Sequence, residues 1–96
     1  MIKHRLADDA DEDLKGIYIY SLENFGLKQA IIYKTDLGKQ FIALCDNPEI
    51  GASYNHIKAG LRRYVYRSHS IYYRIENSYI LILRILGNRQ DPARHF

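Results

Sequence analysis

The sequence predicts an α+β domain of order β-α-α-β-β-β, an antiparallel sheet with a helical hairpin packed on one face. Two amphipathic segments of helical period occupy residues 8–45, with only Gly26 between them. Three strand-like segments then fill residues 61–86, joined by nothing longer than Ser68-His69 and Asn77-Ser78. Connections that short require hairpins, so the three strands form an antiparallel meander. At 96 residues the chain makes one domain, spanning 1–96.

Each element follows from its own residues. Ile2-Lys3-His4-Arg5-Leu6 alternates apolar and polar, as a half-buried strand does. Asp8 or Asp9 is placed to cap a helix, and Ala10, Leu14, Ile17, Ser21 or Leu22, and Phe25 recur at three- and four-residue steps to about Asn24. Gly26 stands where a C′ glycine ends such a helix. One face of the second helix is marked by Leu27, Ala30, Ile31, Leu37, Phe41, Leu44 and Cys45, interrupted by Lys34. Asp46-Asn47-Pro48-Glu49-Ile50-Gly51 stops it with turn residues and a proline. Residues 52–59 show no period and read as an exposed connection. Leu61–Arg67 places Leu61, Arg63 and Val65 opposite Arg62, Tyr64 and Tyr66. Ser70–Glu76 places Ile71, Tyr73 and Ile75 opposite Tyr72, Arg74 and Glu76. Tyr79–Leu86 is apolar on both sides apart from Arg84, which suits a central strand.

Composition narrows the function. Apolar runs such as Tyr79–Leu83 fall far short of the roughly 18 residues of a membrane span. No apolar stretch follows the charged opening Met1–Arg5, so no secretory signal is expected. A small domain whose one cysteine is Cys45 suits a reducing cytoplasm. His4, His56, His69 and His95 lack metal-ligand spacing, and no phosphate loop or cofactor motif occurs, so neither metal nor cofactor is expected.

Charge is strongly polarised. Residues 1–25 hold three cations and six anions, residues 26–55 three of each, and residues 56–96 eight cations against Glu76 and Asp91. The first third is therefore at −3 and the last at +6. Acids in a first helical turn favour the helix dipole. The basic third has no such local explanation, and its seven arginines to one lysine favour planar, bidentate recognition of something acidic, a nucleic acid or an acidic chain.

The candidate binding residues are Tyr64, Tyr66 and Tyr72, read as sharing one side with Arg62 and Arg74, together with Arg63, Arg84 and the tail residues Arg89, Arg94 and His95. Tyrosines on strands also pack in the ordinary way. No complete catalytic set is present. A metal-free ribonuclease would have to use Arg63 and Arg84 for phosphorane charge and His95 to carry the proton.

Four segments resemble the RelE/ParE superfamily of bacterial toxins, and its ParE branch in particular. They are Ala7-Asp8-Asp9-Ala10-Asp11-Glu12-Asp13-Leu14, Asn47-Pro48-Glu49-Ile50-Gly51, Gly60-Leu61-Arg62-Arg63 with Ile71-Tyr72-Tyr73-Arg74-Ile75, and Ile82–Pro92. The resemblance implies the toxin of a type II toxin–antitoxin pair, bound in a hetero-oligomer by an acidic ParD-like antitoxin. ParE-like members are associated with inhibition of DNA gyrase; RelE-like members cut mRNA on the ribosome, with an aromatic acid/base near the C-terminus. No tyrosine follows Tyr79, which favours the gyrase branch, while His95-Phe96 keeps the nuclease alternative and direct nucleic-acid contact open. Alanine at position 7, where the family often has serine, weakens the first helix cap.

Overall fold

Gly26 adopts a φ of +87° and serves two helices at once, ending α1 (Asp8–Phe25) and starting α2 (Leu27–Asp46). A side chain there would be strained, which is why a hairpin of long helices can turn on a single residue. The computed structural model describes residues 2–96, and in it the strands are β1 (Lys3–Leu6), β2 (Ala52–Ser53), β3 (Arg62–Tyr66), β4 (His69–Ile75) and β5 (Tyr79–Gly87). A short 3-10 turn, Pro92–Arg94, follows.

The five strands form one sheet in the order β1-β5-β4-β3-β2. The meander is antiparallel as expected; β5 is an interior strand between β1 and β4, while the central strand is β4. The sheet as a whole is mixed, because β1 pairs with β5 in parallel, Lys3 opposite Tyr79 through Leu6 opposite Ile82. Two-residue connections force antiparallel pairing, whereas a strand that returns through two helices is free of that constraint. Ala52 and Ser53, expected in an exposed connection, add a short edge strand to β3. The cap of α1 is Ala7 rather than Asp8 or Asp9, and no side chain bonds to it, as alanine at that position dictates.

A bulge explains why β5 reads apolar on both sides. Tyr72 lies opposite Arg84 but Tyr73 lies opposite Ile82, so Leu83 is the extra residue. The slip lets Ile82 and Ile85 face the same core although they are three apart. That core, under the helices, unites Ala10, Leu37, Phe41, Leu44 and the buried Cys45 with Ile71, Tyr73, Ile80, Ile82 and Ile85. The far face has its own cluster, Leu61, Tyr72 and Leu86, covered by Tyr54, Ile57, Leu83 and Phe96. Both faces of the sheet are therefore roofed, one by helices and one by irregular chain.

Tyr73 ties the helix end to the sheet. Its fully buried ring sends a hydroxyl to the Pro48 carbonyl at 2.7 Å and accepts from the Gly51 N–H at 2.9 Å. A Cβ on Gly51 would sit 2.5 Å from that hydroxyl and 3.0 Å from the Arg63 carbonyl. Gly51→Ala is therefore expected to lower stability by about 1–3 kcal/mol, read as a drop in the denaturation midpoint at unchanged slope. Wild-type stability in this variant would mean that Tyr73 can shift without cost. Among the described residues, no helix is long and apolar enough to cross a membrane.

Candidate functional site

The strand register sorts the candidate residues onto two faces rather than one. Tyr64 lies opposite Ile71 and Tyr66 opposite His69, and both tyrosines pack against the helical core. Tyr64 donates to Gln40 of α2 at 3.1 Å. Tyr72 faces the other way, in the second cluster. The expected grouping of Tyr64, Tyr66 and Tyr72 on one side is thus corrected. The register of the β3–β4 hairpin decides this, and alternation within each strand could not.

On the face away from the helices, Arg63, Tyr72 and Arg84 form a row across β3, β4 and β5. Tyr72 is 2% exposed, with the Tyr54 ring 5.9 Å away edge-on and the Phe96 ring 5.4 Å away. Burial pushes its hydroxyl above the ordinary value of 10, against the opposing pull of the Arg63 charge. Arg63 donates from Nε to Ser70 Oγ at 3.0 Å and from Nη1 to the Tyr54 hydroxyl at 3.0 Å. Ser70 in turn donates to Asn88 Oδ1, and the Asn88 amide donates to the Arg67 carbonyl, each at 2.8 Å.

Arg84 is held more firmly still. Its Nε and Nη2 form a two-point pair with Asp13 of α1 at 2.7 and 2.9 Å. Asp13 Oδ2 also accepts from the Ile85 N–H at 2.9 Å. β1 pairs only as far as Ile82, so Asp13 covers the strand edge that β1 leaves bare. The pair raises the Arg84 pKa above its ordinary value, first through the hydrogen bonds it donates to Asp13 and against the cost of burial. His95 stands beside it, Nδ1 3.4 Å from Arg84 Nη1.

The other strand cations are also committed within the chain. Arg62 donates to the Glu49 and Gly51 carbonyls at 3.2 and 2.7 Å, and Arg74 pairs with Glu76 at 2.8 Å. Arg62, Arg63, Arg74 and Arg84, all expected in a binding surface, thus each have a hydrogen-bond partner within the chain. Arg89 and Arg94 are exposed, with no ion pair to either among the described residues. Phe96, at the end of the tail, helps to roof Tyr72. No group of three His, Cys, Asp or Glu side chains among the described residues could hold a metal.

Several residues here went unsingled in the sequence. Asp13 falls between Ala10, Leu14 and Ile17 on the apolar stripe of α1, and an acid so placed was the available signal. Tyr54, Ser70 and Asn88 carried none, because their role depends on the register. His69 is a further case. Burial holds its pKa below the ordinary 6.5, and the Tyr33 hydroxyl lies 2.6 Å from its Nδ1. The unfolded chain thus takes up this proton more readily than the folded one. The stability involved is complete above 6.5 and declines as the pH falls below it. His69→Gln should lose less melting temperature than the parent between about pH 7.5 and about pH 5.5. Equal losses would put the acid sensitivity elsewhere.

Comparison with known proteins puts this fold of two helices on a mixed sheet among the toxin-type domains of type II toxin–antitoxin modules. The family model described as ParE toxin of type II toxin-antitoxin system, parDE, matches residues 5–92, so the chain belongs to the ParE toxin family. It is 30% identical over 95 residues to Toxin ParE1 of Caulobacter vibrioides, covering 99% of this chain and 98% of that one. It is 27% identical over 94 residues to Toxin ParE1 of Mycobacterium tuberculosis, covering 97% and 96%. A solved structure titled Chromosomal ParDE TA system from P. aeruginosa superposes with a TM-score of 0.78 at 25% identity, covering 91% of this chain and 96% of that one.

Proposed function

We propose that this chain arrests growth by binding DNA gyrase, and that an acidic ParD-type antitoxin neutralises it in a hetero-oligomeric complex. The observation that carries this reading is the ParE family match across residues 5–92. The geometry supports binding over cleavage. Arg63 is spent on Ser70 and Tyr54, Arg84 on Asp13, and the phenol between them is roofed. A phosphoryl-transfer centre needs cations aimed at the reacting group instead. That Arg63, Arg84 and His95 share a face favours the alternative, an mRNA-cleaving toxin, and one experiment reads both.

Purified protein is assayed side by side against gyrase supercoiling and against translating ribosomes. Loss of supercoiling with accumulation of cleaved DNA complexes is expected, and cells expressing the chain alone should filament and induce the DNA-damage response. Immediate loss of protein synthesis with codon-positioned mRNA cuts would replace this reading with the nuclease one.

A further inference from the structure

Of the seven arginines in residues 56–96, four find acceptors within the chain and three do not. Arg67, Arg89 and Arg94 are exposed, and none of their side chains donates to a partner among the described residues. Asn88 brings the first two together by stapling the β3–β4 turn to the turn after β5. Its N–H donates to the Ser68 carbonyl at 3.0 Å and its side-chain amide to the Arg67 carbonyl at 2.8 Å, while its Oδ1 accepts from Ser70 at 2.8 Å. Gln90 closes the second turn, donating from its N–H to the Gly87 carbonyl and accepting from the Gly87 N–H. Arg67 and Arg89 therefore stand on two fixed turns side by side at one end of the sheet. Arg94 follows in the short 3-10 turn that Asp91 caps.

Arg67 is not there for the sake of its turn. Its φ is +54°, a region that glycine and asparagine occupy more readily. Its guanidinium lies 5.4 Å from the Tyr66 ring. Stacking of this kind engages the flat face of the group and leaves its N–H edge for an outside acceptor. The acids nearby are already matched. Glu12 and Asp13, which line a depression with Gly87 and Gln90, pair with Lys15 and Arg84, and Asp91 accepts from the Ala93 N–H. The two turns and the tail thus set three cations against Asp91.

The same surface is polar. Arg67, Ser68, Asn88, Arg89, Gln90 and Asp91 are all exposed. Large exposed apolar side chains such as Phe25, Leu27 and Ile31 sit on the helices instead. Protein–protein interfaces carry an apolar, aromatic centre inside a polar rim, whereas interfaces with nucleic acid are polar and strongly positive. This end of the sheet is of the second kind.

We infer that the sheet end carrying Arg67, Arg89 and Arg94 binds the phosphate backbone of DNA, each arginine neutralising one phosphate. The inference rests on the gyrase reading above and deepens it: the chain meets the enzyme together with the DNA that the enzyme holds. Phosphate contacts of this kind position a protein on a duplex without reading its sequence.

The probe is a fluorescently labelled DNA duplex of about 20 base pairs and arbitrary sequence, titrated with the full chain at several salt concentrations. Three neutralised phosphates give a slope of log affinity against log salt of about −2.7, so binding should weaken roughly fortyfold between about 50 and about 200 mM salt. Arg67→Gln, Arg89→Gln and Arg94→Gln should each flatten the slope by about 0.9 at an unchanged melting temperature. Lys39→Gln removes the same charge from an exposed position on α2 and should leave the slope alone. The triple arginine variant should also lose inhibition of gyrase supercoiling. A slope that ignores the three arginines overturns the inference. So does polyglutamate that binds more tightly than duplex and loses affinity with the same variants, which makes the partner an acidic protein surface. A triple variant that no longer binds duplex yet inhibits supercoiling as the parent does overturns it too, and leaves the gyrase reading standing. Parent protein that does not inhibit gyrase overturns that reading, and the salt slope then judges the DNA contact by itself.

Discussion

Asp13→Ala should cost about 3–5 kcal/mol, the range for leaving one member of a largely buried ion pair alone. The side chains of Arg84 and Asp13 are only 19% and 16% exposed, so solvent screens the pair weakly. The substitution strands the Arg84 guanidinium and the Ile85 N–H together. Against a total stability of roughly 5–15 kcal/mol for a small domain, that is enough to populate the unfolded state near physiological temperature. Asp13→Asn retains one acceptor and should fall between the two. Replacing both partners by apolar residues, Asp13→Leu with Arg84→Met, should recover much of the loss, because no charge is then left buried. Denaturant melts on the parent, Asp13→Ala, Asp13→Asn, the singles Asp13→Leu and Arg84→Met, and the double variant check this. A double variant as unstable as the sum of its singles would show that the pair has no mutual coupling.

The second large effect separates toxicity from folding at the tail. Deleting Asp91–Phe96 removes the ring over Tyr72 and the His95 neighbour of Arg84 at one stroke. The truncation should therefore lose stability by about 2–3 kcal/mol, and Phe96→Ala alone should account for most of that. Loss of toxicity in the truncation would then report nothing about target contact. Point variants do report it. Arg89→Glu and Arg94→Glu lie on exposed positions and should leave stability within about 0.5 kcal/mol. If the tail cations touch the target, both together should abolish growth arrest in a folded protein that still binds antitoxin. A folded, fully toxic double variant would place the active surface off the tail.

Much of the fold was legible because local chemistry and global arrangement agree. The lone Gly26 between two periodic segments specified the hairpin, and two-residue connections specified the meander. The apolar character of Tyr79–Leu86 marked a strand with a neighbour on each side, although the central strand is β4. The parallel partner of that strand was not legible, since nothing in Lys3–Leu6 records which edge it joins. The site was legible in composition and not in geometry. Arginines and tyrosines stand out as the unusual content, but the arginines' partners, Ser70, Tyr54, Asp13 and the carbonyls of Glu49 and Gly51, come from elsewhere in the chain. A cluster of cations in a sequence shows that anions or acceptors must be met. It does not show whether the same chain supplies them.

The pairing of the first strand with the last has a consequence in time. Lys3 leaves the ribosome early, yet its partner Tyr79 is made 76 positions later. At roughly 5–20 residues per second, that interval is about 4–15 seconds. Asp13 and Arg84, 71 positions apart, close the same seam. Until the final strand emerges, the nascent chain lacks the strand that joins β1 to the meander, and long-range closure is the slow part of such topologies. The hairpin is complete once Asp46 is made, 33 positions before Tyr79. A partner made nearby could therefore meet the chain at its helical hairpin before the sheet has formed, and the poison would reach its finished shape already in custody.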